Sequence, residues 1–207
     1  MTEIWPLVRI EREALIADLA RLSPEDWARP SLCDGWSVHD VAAHLVDNAK
    51  ATWLGIVGAM IRARFDFDRQ NEQGMRRGRG DSPHETLERL RAVADRRTGP
   101  PAPVDSRLVE EVLHGEDIRR PLGIVHAYEP EAVTRSLAYQ ARTSVGLGGG
   151  RQIAATVGLR AADADVTLGE GPEIHGPALS LLMVISGRTV ALDDLEGPGV
   201  PVLRSRS

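Results

Sequence analysis

The apolar pattern of the chain changes character at Gly146-Leu147-Gly148-Gly149-Gly150, and this change limits the fold more than any other feature. Before it, apolar residues recur three and four positions apart, the spacing of one helix face. Ile4, Leu7, Val8, Leu15, Leu19 and Leu22 mark an amphipathic helix over residues 4 to 22. A long helix is expected over roughly 38 to 64, carrying His44, Ala51, Leu54, Val57 and Ile61. Ser37 is its N-cap, with Asp40 three residues on as a weaker form of the capping box. The polar, glycine-containing stretch 69–81 reads as a loop. Ser82-Pro83-His84-Glu85 then starts a helix, with Ser as N-cap and Pro at the first helical position. Leu87, Leu90 and Val93 form its apolar face, and Gly99-Pro100-Pro101 stops it. A further helix holds residues 108–117 and ends near Pro121-Leu122-Gly123, and another starts at Pro130.

After the glycine run come short alternating stretches at 153–159, 166–168 and 200–203, which read as strands. One helix, Pro177 through Ile185 and closed by Gly187, interrupts them. The expected architecture is mainly α: a helical bundle over 1–147, then a small α+β domain over 151–207. A hydrophobic content of 42% in 207 residues is enough to bury a core. The net charge of −5 argues against a general attraction to nucleic acid or anionic lipid. No apolar run reaches the length of a membrane span. The first residues lack the basic-then-apolar pattern of a secretory signal, and the single cysteine, Cys33, fits a reducing compartment, so a cytoplasmic location is expected.

The candidate chemistry lies in His44, Glu110 and His114. Glu110 and His114 are four apart on a predicted helix, which stacks their side chains on one face. His44 sits on another predicted helix, among Val41 and Leu45. One ligand from one helix and two from a second is a way helix bundles build metal sites. Three protein ligands leave a coordination position open for catalysis. Glu111, three residues from His114, competes with Glu110, but four-residue spacing stacks more directly. Asp117, about one turn after His114, suits a carboxylate that orients a ligand.

Other candidates read more plainly. His39, His84, His126 and His175 are expected to be exposed and incidental. Cys33 precedes a helix N-terminus, which favours a thiolate, yet the sequence places no histidine to activate it; a packed or partly exposed free thiol is expected. The glycine run lacks the Gly-Lys-Ser/Thr ending of a phosphate loop. Ser37 to Leu45 superficially resembles the first helix of a helix-turn-helix, but the helical pattern runs on through Trp53 and Leu54.

Trp27 with Pro30-Ser31-Leu32-Cys33-Asp34-Gly35-Trp36-Ser37-Val38-His39-Asp40-Val41-Ala42-Ala43-His44-Leu45 resembles the N-terminal signature of the mycothiol-dependent maleylpyruvate isomerase family, itself related to DinB-like metal-binding four-helix bundles. Val112-Leu113-His114-Gly115-Glu116-Asp117-Ile118-Arg119-Arg120-Pro121-Leu122-Gly123 is similar to the second signature. Gly176-Pro177-Ala178 through Leu182, with Ser186-Gly187-Arg188, is similar to the C-terminal segment. The resemblance implies an up-down-down-up bundle followed by a smaller α+β domain. It implies a divalent metal, typically zinc with nickel as a second choice, held by His44, Glu110 and His114. It also implies mycothiol or a similar thiol as cosubstrate, and a small-molecule electrophile that undergoes S-transfer or cis–trans isomerisation. Arg188 is then the candidate clamp for an anionic substrate. Two rival readings stand beside it. One is a non-catalytic metal-stapled bundle whose fourth ligand is a side chain such as Asp117; the other is a DNA-binding regulator built on the Ser37 to Leu45 helix.

Overall fold

The computed structural model describes residues 3–99 and 102–205. Contacts divide the chain into two units, Met1–Ala127 and Tyr128–Ser207. Among the described residues, the regular elements of the first unit are the helices α1 (Ile4–Leu19), α2 (Pro24–Ala28), α3 (Val38–Ala49), α4 (Trp53–Arg62), α5 (Phe67–Gly78), α6 (Pro83–Arg91) and α7 (Ser106–Leu122).

Helices α1, α3, α6 and α7 pack on one another, and α5 lies along α3. Leu15 and Leu19 of α1, Val41, Leu45 and Val46 of α3, Leu87 and Leu90 of α6, and Ile118 of α7 share one buried cluster with Trp27. Each such side chain contributes about 1.5–3 kcal/mol by leaving water. The ends of the site-bearing helices are chemically fixed. Ser37 and Asp40 form a reciprocal capping box at the start of α3. Gly123 closes α7 with φ 70°, the left-handed geometry that favours glycine.

Several boundaries differ from those expected. The helix anticipated over 38–64 breaks after Ala49. Thr52 turns its hydroxyl to the Gly55 amide and caps a new helix instead. The Ala49 carbonyl, at the end of α3, accepts from Thr98 Oγ1 at 2.8 Å. The anticipated loop at 69–81 is largely α5. Asp66 caps it through the Arg69 amide, and its buried face is Gly74, Met75 and Gly78, so it forms by docking on α3 rather than by an apolar stripe. Helix α6 ends at Arg91, ahead of Gly99; Pro100 and Pro101 of the expected stop lie outside the described residues.

The second unit contains α8 (Pro130–Gln140), α9 (Arg151–Ala154), β1 (Gly158–Ala161), β2 (Thr167–Leu168), β3 (Glu173–Gly176), α10 (Ala178–Ile185) and α11 (Val200–Arg204). Its sheet has the order β2-β1-β3. Leu159 pairs antiparallel with Leu168 and parallel with Ile174. The units divide ahead of the glycine run because α8 packs on α10 and so goes with the C-terminal residues. Residues 200–203 are helical where a strand was expected. Pro201 lacks the amide a strand ladder needs but is tolerated in the first turn of a helix. Residues 151–154 are likewise helical, and β3 was not anticipated. The chain is thus a mainly α fold with a small C-terminal α+β unit.

Candidate metal centre

The capping box launches α3 so that its seventh residue, His44, faces the interior, where it is 8% exposed. Helix α7 packs against α3 and turns Glu110 and His114, one turn apart, to meet it. The Nε2 atom of His44 lies 3.4 Å from Glu110 Oε2, and that of His114 lies 3.3 Å from the same oxygen. The two imidazoles stand edge to face with centroids 4.9 Å apart, and Trp36 tilts against His44 at 5.3 Å.

These separations carry chemical information. Charge-assisted hydrogen bonds between such groups fall near 2.7–2.9 Å. Ligands held about 2.0–2.1 Å from one tetrahedral zinc stand about 3.3–3.4 Å from one another. Glu110 Oε2 is buried and accepts no ordinary hydrogen bond. An orphaned oxygen with two imidazole nitrogens at that range is the donor set a divalent ion fits.

Neighbouring groups hold the trio in this posture. The Arg107 guanidinium lies 3.9 Å from the other carboxylate oxygen, Glu110 Oε1, and also binds the side chain of Asn48. Burial pushes the Glu110 carboxyl up, but the facing imidazoles of His114 and His44 and the Arg107 charge outweigh it and hold the group well below its ordinary value. On the far side of His114, Nδ1 donates to Asp117 Oδ2 at 2.9 Å. Burial favours neutral His114, yet its hydrogen bond to Asp117, with Cys33 and the Glu110 carboxylate beside the ring, raises it well above its ordinary value. With the Nδ1 proton held by Asp117, Nε2 is the ring atom that faces the convergence point, where a bound ion would take the place of its proton.

The structure therefore brings His44, Glu110 and His114 together and places Asp117 behind His114. Glu111 points elsewhere and pairs with Arg12. Arg188 lies in the C-terminal unit, where it donates to the Ser186 carbonyl at 2.7 Å. His39 departs from the exposed reading: it is buried and lies 2.6 Å from Thr86 Oγ1, because Trp27 and α6 cover its face of α3. His126 is also engaged, with Glu11 at 2.8 Å. Two residues beside the centre escaped sequence reasoning. Arg107 carried a weak signal, one turn before Glu110 on the same helix. Cys33 carried none that points to His114, since 81 residues separate them.

A helical bundle that gathers two histidines and a glutamate from two of its helices belongs to the class that builds polar centres in a bundle core. Residues 8–107 match the family model described as the mycothiol maleylpyruvate isomerase N-terminal domain. Two solved structures share the fold: the mycothiol-dependent maleylpyruvate isomerase and a histidine-to-alanine variant of it. Each superposes with a TM-score of 0.66 over 94% of this chain and 91% of that chain, at 15% identity. No curated protein matches the sequence.

Proposed function

We propose that this protein is a metal-dependent enzyme that uses a low-molecular-weight thiol, mycothiol or a close analogue, to act on a small electrophile by cis–trans isomerisation or S-transfer. The observation that carries the reading is the convergence of His44 Nε2, Glu110 Oε2 and His114 Nε2 at 3.3–3.4 Å around a buried oxygen with no hydrogen bond. The match of residues 8–107 to the mycothiol maleylpyruvate isomerase N-terminal domain supports the thiol.

His44, Glu110 and His114 would hold the ion, zinc by preference and nickel second, on the chemistry of two nitrogens and one oxygen. Bound there with only three protein ligands, a divalent ion supplies an open position that favours the thiolate form of an incoming thiol. The protein's own groups do the rest. Asp117 keeps the His114 proton on Nδ1 and fixes the ring. Arg107 occupies the outer side of the Glu110 carboxylate, which leaves Oε2 for the centre. In the isomerase form of the reaction, the thiol sulfur adds to a conjugated double bond, the former double bond rotates, and the thiol leaves unchanged. Arg188 is the proposed partner of a substrate carboxylate.

A closed, purely structural site needs a fourth protein ligand. Asp117 was the candidate, but it binds the opposite nitrogen of His114, which favours the open site.

Metal analysis of the purified protein, followed by thiol titration of the cobalt-substituted form, tests the proposal. The expected result is one ion per chain, lost in the His44→Ala/His114→Ala double variant, and a visible spectrum that shifts on thiol addition. Full occupancy in the double variant, or a spectrum indifferent to thiol, would overturn it.

A further inference from the structure

Two groups of ligand-type side chains meet at His114, one at each ring nitrogen. Their spacing separates their roles. At Nε2 the Glu110 Oε2 atom stands 3.3 Å away and is itself 3.4 Å from His44 Nε2, the separations of atoms that share an ion. At Nδ1, Asp117 Oδ2 lies 2.9 Å from the ring nitrogen and 3.1 Å from Cys33 Sγ. An ion held between sulfur, nitrogen and oxygen would spread the sulfur and oxygen to about 3.5 Å. The Cys33 side is therefore a hydrogen-bonded group, with both donors converging on one carboxylate oxygen.

Asp117 is fully buried, so its charge must be met by donors. The His114 Nδ1–H is one, and the Cys33 thiol is the second on the same oxygen. The thiol is itself held in place by its loop. The Cys33 amide donates to Ser31 Oγ at 3.1 Å, and the Cys33 carbonyl accepts from the Trp36 amide at 3.0 Å. The Leu32 amide donates to the Asp117 carbonyl at 3.0 Å, which ties the loop to the residue the thiol serves.

We infer that Cys33 is a positioning residue of the centre: its S–H donates to Asp117 Oδ2 and fixes the carboxylate that orients His114 toward the ion. The inference rests on the metal reading above. It assigns the lone cysteine a hydrogen-bonding duty, distinct from nucleophile or ligand. Serine keeps a donor at this position, whereas alanine and valine remove it and valine retains the volume.

The test measures zinc affinity by competition with a chromophoric chelator, together with the absorption of the cobalt-substituted protein and the melting of the metal-free form. Cys33→Ala and Cys33→Val are expected to bind zinc about tenfold more weakly, at the lower end of the range for groups that orient a metal ligand. Both should alter the cobalt spectrum. Cys33→Ser should return the affinity to within roughly threefold and restore the spectrum, since a hydroxyl donates to a carboxylate at least as well. Cys33→Ala and Cys33→Val should lose affinity alike although valine keeps the volume, and in the metal-free form Cys33→Ser should melt nearest to wild type, which separates this duty from simple packing. Unchanged zinc affinity in Cys33→Ala, or a Cys33→Ser variant as weak as Cys33→Ala, would overturn the inference. A wild-type protein that takes up no zinc would instead bring down the metal reading, and this shows before any variant is made.

Discussion

Glu110 and Glu111 are adjacent in sequence, yet the structure gives them opposite kinds of work, and exchanging each for alanine should expose this. Glu111 is 4% exposed at its side chain and faces Arg12 at 3%. Arg12 Nε and Nη2 donate to Glu111 Oε1 at 3.0 and 2.5 Å, and its remaining donor reaches the carbonyls of Val93, Ala94 and Arg96. Glu111→Ala leaves that guanidinium buried without its counter-charge, a change that costs about 3–5 kcal/mol. For a chain of this size, about 2–4 °C of melting temperature per kcal/mol translates this into a loss of roughly 6–20 °C. Glu110→Ala should behave differently. Its Oε2 accepts no ordinary hydrogen bond and Arg107 meets its other oxygen only at 3.9 Å, so the metal-free protein should lose less stability than with Glu111→Ala. Metal uptake should vanish. The assay is thermal unfolding followed by circular dichroism in chelator, with metal content measured on parallel samples. An Arg12→Met/Glu111→Leu double variant should regain only part of the loss, because three backbone carbonyls then lack their donor. A Glu111→Ala protein as stable as wild type, or a Glu110→Ala protein that still holds metal, would refute the assignment.

Two further predictions concern the support of α3. A Cβ on Gly78 would sit 1.9 Å from the Ala43 carbonyl oxygen, backbone against backbone, so Gly78→Ala should lift α5 off α3 and cost about 1–3 kcal/mol in a urea titration. Wild-type stability in that variant would show that α5 does not depend on this close approach. His39 packs against Trp27, Thr86 and the charges of Arg79 and Asp40. Burial and Arg79 hold its imidazole below the ordinary value, outweighing Asp40. The unfolded chain therefore binds the proton more readily, so the contribution is complete above about pH 6.5 and is lost as pH falls from there toward the folded value. Urea midpoints measured across that window, in chelator, should fall more steeply for wild type than for His39→Gln; parallel curves would contradict the buried neutral ring.

Much of the centre was legible in one dimension because helical geometry is local. Glu110 and His114 share a face by spacing alone, and Ser37 with Asp40 announces the start of the helix that carries His44. The same logic found the cap of α6 and the Pro130 start of α8, and it misplaced α5 and α11. A stripe of large apolar residues is absent from α5, whose buried face is two glycines and a methionine. Its stability comes from a helix 30 residues away in sequence, to which Arg77 is tied through Asp47.

The sequence by itself determined the helical class of the first unit, the residue types of the centre and the spacing of two of its members. Those properties depend on backbone periodicity and side-chain chemistry, which neighbours in the chain suffice to fix. Tertiary structure decided which glutamate faces the histidines, that Asp117 binds the Nδ1 side of His114, and that Cys33 joins it there. The first and last of these turn on atoms that meet from positions dozens of residues apart, and the second on how the closed core turns two side chains of one helix. Periodicity along the chain carries no record of such meetings; they appear only when the core closes and buried charges must find their partners.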